Sequence, residues 1–237
     1  MHLQWLKEHC DVMALQTLLS LPYLDSPHAR PKVAITFDDG YLDNYEYAFP
    51  LLIKHGLPAT FFVTVGLLER DPEVIGRFQF LRRTGPDELE SLTWQQVQEM
   101  IAAGLEFGAH TYSHPNLALL GHRQLERELK QAKKILEERI RQKIDGFAYP
   151  FGKPRRHFNA LTLAMVREAG YRYAMAVYFR SVRPRDSRWS LPRLLITGDS
   201  VEVLGNKIKG GWDLLGYFQE WSPLWLARKV SPEDWGV

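Results

Sequence analysis

A repeated alternation of short β-branched or aromatic runs with helical patterns leaves this chain few ways to fold. Val33-Ala34-Ile35-Thr36-Phe37 is one such run, and it stops at Asp38-Asp39-Gly40. Asn44 to His55 then reads as a helix closed by Gly56, which suits a left-handed cap. Ala59 to Val65 is the next strand. Thr93-Trp94-Gln95-Gln96 fits a capping box, and its helix carries Trp94, Val97 and Ile101 on one face before Gly104. Leu105 to Ala109 leads as a strand into His110, and Leu125, Leu129, Ala132, Leu136 and Ile140 recur at helical spacing after it. Phe147 to Pro150 is extended, Asn159 to Ala169 is a helix capped by Gly170, and Tyr173 to Val177 is a strand. Leu194 to Thr197 is a candidate for the last strand. Such alternation calls for parallel strands with helical crossovers, so the fold class is α/β, as an open sheet or a barrel. Asp38, Asp39, His110 and the Tyr149-Pro150-Phe151-Gly152 turn all fall just past strand ends, the face on which a barrel carries its active site.

No repeat, low-complexity stretch or long linker divides the 237 residues, so residues 1–237 read as a single domain. Forty-five per cent hydrophobic and 24% charged residues exclude a disordered chain. The single cysteine, Cys10, excludes a disulfide framework and a Cys-rich zinc module. No apolar run reaches the length of a spanning helix, and Met1 to Glu8 show neither a basic region nor an apolar core of an export signal. A net charge of +2 argues against a dedicated nucleic-acid binder. Positive charge nevertheless gathers in Arg180, Arg183, Arg185, Arg188 and Arg193, as a solvated loop or a contact for an anionic polymer or lipid surface. Residues 1–30 read as an N-terminal helical segment. Residues 205–237 read as a Trp-rich helical one, with Trp212, Trp221, Trp225 and Trp235, and with Leu214, Leu215, Phe218 and Trp221 at helical spacing. That last segment suits a closing helix, sugar stacking or contact with a membrane surface.

Two carboxylates stand side by side in Thr36-Phe37-Asp38-Asp39-Gly40. Adjacent side chains at a strand end diverge, so one can ligate a metal while the other faces a substrate; an Asp-Gly turn alone would need neither. His110-Thr111-Tyr112-Ser113-His114-Pro115 adds two histidines, and Pro115 disfavours helical backbone at His114, so a turn presenting both rings is expected. With one Asp, the pair makes a His2-carboxylate set with an open position, the pattern of a catalytic metal site.

These motifs, with Tyr149-Pro150-Phe151-Gly152 as the third, resemble the polysaccharide deacetylases of carbohydrate esterase family 4, the NodB-homology domain, from about Pro31 to Arg193. The resemblance is nearest to the group that acts on exopolysaccharides and poly-N-acetylglucosamine. It implies a distorted (β/α)7-type barrel that removes N-acetyl groups from N-acetylglucosamine polymers with one divalent ion, zinc first and cobalt as an alternative. It also implies Asp39, His110 and His114 as metal ligands, Asp38 as general base, and the backbone N–H of Phe151 as an oxyanion donor. Enzymes of this kind often work outside the cytoplasm.

The sequence departs from the family's pattern in two places. Many members carry an arginine in the third motif where this chain has Ala148, and Arg193, in Leu191-Pro192-Arg193, could supply that charge from another strand. The late histidine that usually serves as general acid is also missing, since no histidine comes after His157. In the poly-N-acetylglucosamine group that acid lies on an early strand. Residues 2–19 resemble the helix and turn that come after that strand in the group, so the barrel is expected to lack an N-terminal strand. His2, His9, His28, His55, His122 and His157 have no motif around them and read as surface residues. Two alternatives therefore stay open: a relative that keeps the metal and binds carbohydrate with weakened turnover, and an amidohydrolase of the same fold acting on a small amide.

Overall fold

In the computed structural model, which describes residues 1–21, 30–82 and 90–216, parallel strands alternate with helices along most of the chain. It opens with α1 (His2–His9), β1 (Asp11–Val12) and α2 (Leu15–Ser20), followed by β2 (Lys32–Val33) and β3 (Thr36–Asp39). A π turn at Asn44–Ala48 runs into α3 (Phe49–His55); β4 (Thr60–Val63), α4 (Val65–Leu68), α5 (Pro72–Arg82), α6 (Trp94–Ala102) and β5 (Glu106–Ala109) come next. Beyond them are α7 (His122–Glu126), α8 (Ala132–Ile140), β6 (Gly146–Ala148), α9 (Ala160–Glu168), β7 (Tyr173–Val177), β8 (Leu191–Arg193) and α10 (Val201–Ile208).

Strands β3 to β8 form one six-stranded parallel sheet in sequence order, and β1 pairs with β2 in a separate short ladder. The sheet curls until its two edges meet through a side chain: Arg193 on β8 donates to Thr36 and Asp38 on β3. The barrel expected from the sequence is thus a half-barrel of six strands among the described residues. No described helix is long and apolar enough to cross a membrane.

Strand β4 shows why the sheet is buried on both faces. All four of its residues are buried, as parallel strands covered by helices require. Phe62 faces inward with Ala148, Tyr173, Met175 and Leu191, and Leu15 of α2 plugs this interior. Phe61 faces outward into a larger cluster with Leu52, Val97, Met100, Leu125, Leu129 and Leu136 from the surrounding helices. The interior tolerates no extra atom near β5. A Cβ on Gly108 would lie 2.5 Å from two atoms of the fully buried Phe62 ring and 3.0 Å from the Gly146 carbonyl. Gly108→Ala is therefore expected to destabilise the fold by about 1–3 kcal/mol, the usual cost of overpacking, as read by urea denaturation.

Several elements form where the sequence places them. Gly56 caps α3 at φ +66°, Thr93 and Gln96 exchange both capping-box hydrogen bonds, and β7 spans Tyr173–Val177. Others shift. The expected strand at 33–37 is split, because Val33 pairs with β1 whereas Thr36 and Phe37 pair with β4. The last strand is Leu191–Arg193 rather than Leu194–Thr197; as an edge strand paired only with β7, it can hold Pro192, which has no N–H to donate. A π turn at Arg127–Gln131 interrupts the helix expected from Leu125 to Ile140.

The terminal segments differ from simple helices. In residues 1–21 two helices flank a short strand. Of the Trp-rich segment, Trp212 packs against Phe179, and Leu214 and Leu215 are exposed. Phe218, Trp221, Trp225 and Trp235 lie outside the described residues. The arginine run is not uniformly solvated either: Arg180 is buried in a paired contact with Asp186.

Candidate active site

Asp38 and Asp39 end β3, His110 follows β5, and Phe151 follows β6, so the parallel strands deliver all of them to one edge of the sheet. Backbone geometry separates the two neighbouring carboxylates. Asp39 takes φ +73°, which short polar residues tolerate, and Gly40 continues the turn at φ +87°, where a side chain would be strained.

Asp38 turns to Arg193. The guanidinium donates to both carboxylate oxygens at 2.8 Å and to the Thr36 hydroxyl at 3.1 Å. Arg193 is only 11% exposed in its side chain and lies over the Phe62 ring, so this fork is fixed by packing. Burial alone would raise the Asp38 carboxyl, but the charge of Arg193, aided by His110, holds it below the ordinary carboxylate value. Asp38 is thus held ionised and oriented at neutral pH. Ala148 lends no charge; its carbonyl instead accepts from His110 Nδ1 at 2.8 Å.

Asp39 turns to the histidines. The Nε2 atoms of His110 and His114 each lie 3.4 Å from the same Asp39 oxygen, and the three candidate ligand atoms lie within 4.8 Å of one another. Ligands about 2.0–2.1 Å from a tetrahedral zinc ion are separated by about 3.4 Å, so this spacing leaves room for one ion between them. The Ala148 carbonyl favours a proton on His110 Nδ1, so the neutral form of the ring would present its Nε2 lone pair to the triad. Burial, opposed by the charge of Asp39, brings His114 down to about 4, so that ring is neutral at pH 7. For His110 burial also works downward, but the charges of Asp38 and Asp39 outweigh it and raise the ring above its ordinary value. The donor set and its geometry fit a divalent cation.

The two histidines are carried by a turn, as Pro115 requires, and the turn is strained. Thr111 and His114 take φ +67° and +54°, conformations that cost about 1–2 kcal/mol each for such residues. The Thr111 hydroxyl accepts from the His114 N–H at 2.9 Å, the Thr111 and Tyr112 carbonyls accept from the N–H groups of Val65 and Gly66, and Glu128 accepts from the N–H groups of Tyr112 and Ser113. Phe151, at φ +58°, sets its ring 4.7 Å from that of His114. His157, expected at the surface, is 2% exposed and packs 5.1 Å from the Phe151 ring. Neither Glu128 nor His157 lies in a motif, and nothing in their spacing along the chain links them to the site.

Paired oriented groups around a three-ligand metal position on a curled parallel sheet make this a metal-dependent hydrolase. The chain belongs to the polysaccharide deacetylase family, carbohydrate esterase family 4, whose sequence profile matches residues 25–174. It is similar to poly-beta-1,6-N-acetyl-D-glucosamine N-deacetylase of Staphylococcus aureus (strain MRSA252), at 29% identity over 213 residues, 85% of this chain and 67% of that protein. It is also similar to YxkH of Bacillus subtilis (strain 168), described as a polysaccharide deacetylase, at 30% identity over 210 residues, 88% of this chain and 67% of that protein. Among solved structures, Streptococcus pyogenes deacetylase PplD in complex with acetate superposes with a TM-score of 0.71 at 26% identity, covering 87% of this chain and 84% of that one. IcaB from Ammonifex degensii gives 0.67 at 25%, covering 88% and 87%.

Proposed function

We propose that this chain hydrolyses the N-acetyl groups of a polymer of N-acetylglucosamine, with β-1,6-linked chains as the preferred substrate and zinc as the metal. The observation that carries the reading is the division between neighbours: Asp39 faces the two histidines while Arg193 holds Asp38 aside from them. The similarity to a poly-beta-1,6-N-acetyl-D-glucosamine N-deacetylase supports the linkage.

Asp39, His110 and His114 would hold the ion, which supplies Lewis acidity towards the amide carbonyl and towards water. Asp38 accepts a proton from the attacking water, and Arg193 keeps that carboxylate ionised and aimed. The Phe151 N–H donates to the amide oxygen as negative charge develops there, a role supported by the closeness of its ring to His114. The leaving amine requires a proton in turn. His157 is a poor source for it, because burial, with the charges of Lys153 and Arg156, lowers its ring to about 4.

Acetate release tests the reading on β-1,6-linked and β-1,4-linked N-acetylglucosamine oligomers and on small N-acyl amides. Release is expected from the oligomers, fastest from the β-1,6 series, lost after chelation and restored by zinc. Turnover confined to the small amides would overturn the polymer assignment. Metal binding with no turnover on any amide would leave a carbohydrate-binding relative.

A further inference from the structure

The loop between His110 and His114 offers two successive N–H groups, of Tyr112 and Ser113, that no backbone carbonyl accepts among the described residues. Both donate to one oxygen of Glu128, at 3.0 and 2.9 Å, and the Ser113 hydroxyl donates to its other oxygen at 2.6 Å. The Gly66 N–H donates to the Tyr112 carbonyl at 2.8 Å, and a Cβ on Gly66 would lie equally close to that carbonyl. The loop is therefore gripped from two sides, by α4 and by Glu128. Glu128 sits within the π turn at Arg127–Gln131, an irregularity that re-aims a residue and recurs at functional sites.

We propose that Glu128 is a positioning residue, which holds the His110–His114 loop in its strained turn and thereby sets the affinity of the site for its cation. The proposal rests on the metal reading above. Thr111 and His114 lie in the left-handed region, and a loop released from Glu128 is free to relax out of it, swinging His114 Nε2 away from Asp39. A carboxylate accepting three hydrogen bonds does this better than a neutral amide, because hydrogen bonds to a charged group are roughly twice as strong.

The test compares the full chain with Glu128→Ala and Glu128→Gln, measuring Zn2+ and Co2+ affinity by chelator competition, with the cobalt absorption spectrum as a report on ligand geometry. Amide hydrogen exchange of Tyr112 and Ser113 is followed in the metal-free proteins. Glu128→Ala should weaken metal binding by about 10–100-fold, the usual effect of losing a group that orients ligands, and speed exchange at both amides. Glu128→Gln, whose amide oxygen can still accept, should show a smaller but measurable loss, about two- to tenfold. Unchanged affinity in Glu128→Ala, with a folded protein, overturns the proposal. If that variant does not fold, Glu128→Gln decides alone, and parental affinity in it overturns the proposal. A parent chain that takes up no metal sinks the metal reading and the affinity claim with it, whereas the exchange rates decide separately whether Glu128 anchors the loop.

Discussion

His114→Ala is expected to empty the metal site and abolish amide hydrolysis, and His110→Ala should do the same. The triad offers three candidate protein ligands, and removing one would leave a two-ligand site too weak to retain a divalent ion through purification. The two variants differ in a useful way. His110 also donates to the Ala148 carbonyl, so its removal leaves a buried acceptor unpaired at a cost of about 1–3 kcal/mol. His114 faces Asp39 and otherwise packs on Phe78 and Phe151, so its loss perturbs the fold mainly through a cavity. His114→Ala is thus the cleaner variant, and a melting temperature near that of the metal-free parent would confirm it. Elemental analysis of both purified variants decides the matter: full occupancy in each would remove Asp39, His110 and His114 as the ligand set.

The parts of this site that lie within a few residues of one another were legible in the sequence. Asp38-Asp39-Gly40 declares a strand end, because a glycine follows two residues that tolerate turns, and Pro115 forces His110 and His114 into a turn instead of a helix. The helix caps at Gly56 and Thr93 were legible for the same local reason. Contacts across the sheet were legible only through the family resemblance, which pointed to Arg193 as a substitute for the arginine missing at Ala148. That Arg193 reaches Asp38 depends on the curl that brings β8 round to β3, and no pattern within Leu191-Pro192-Arg193 encodes the distance. The break of the 33–37 run between two ladders depends likewise on which neighbours β2 and β3 find. Glu128 was invisible because it lies on the helix that carries the Leu125 and Leu129 pattern, where a polar residue between buried ones reads as the solvent face. Only the π turn and the loop it meets give that carboxylate a task.

Asp38→Asn should behave differently from the histidine variants: the ion stays and the rate falls. Asparagine keeps the shape of aspartate and one acceptor oxygen, but it cannot take a proton from water at neutral pH. Its NH2 group would also face one of the two Arg193 nitrogens that now donate to Asp38, so the fork is half lost and stability drops by about 1–3 kcal/mol. Asp39 is placed by its own left-handed turn and faces the histidines, so metal occupancy should not follow that loss. The rate of acetate release from an N-acetylglucosamine oligomer should fall by about 10²–10⁴, the typical worth of a positioned base. Parallel measurements of zinc content and rate separate the two aspartates. If Asp38→Asn loses the metal while Asp39→Asn keeps it, the roles of the neighbours are exchanged. If Asp38→Asn keeps both its metal and its rate, the proton leaves by another group, and the Arg193–Asp38 fork serves only to tie the edges of the half-barrel together.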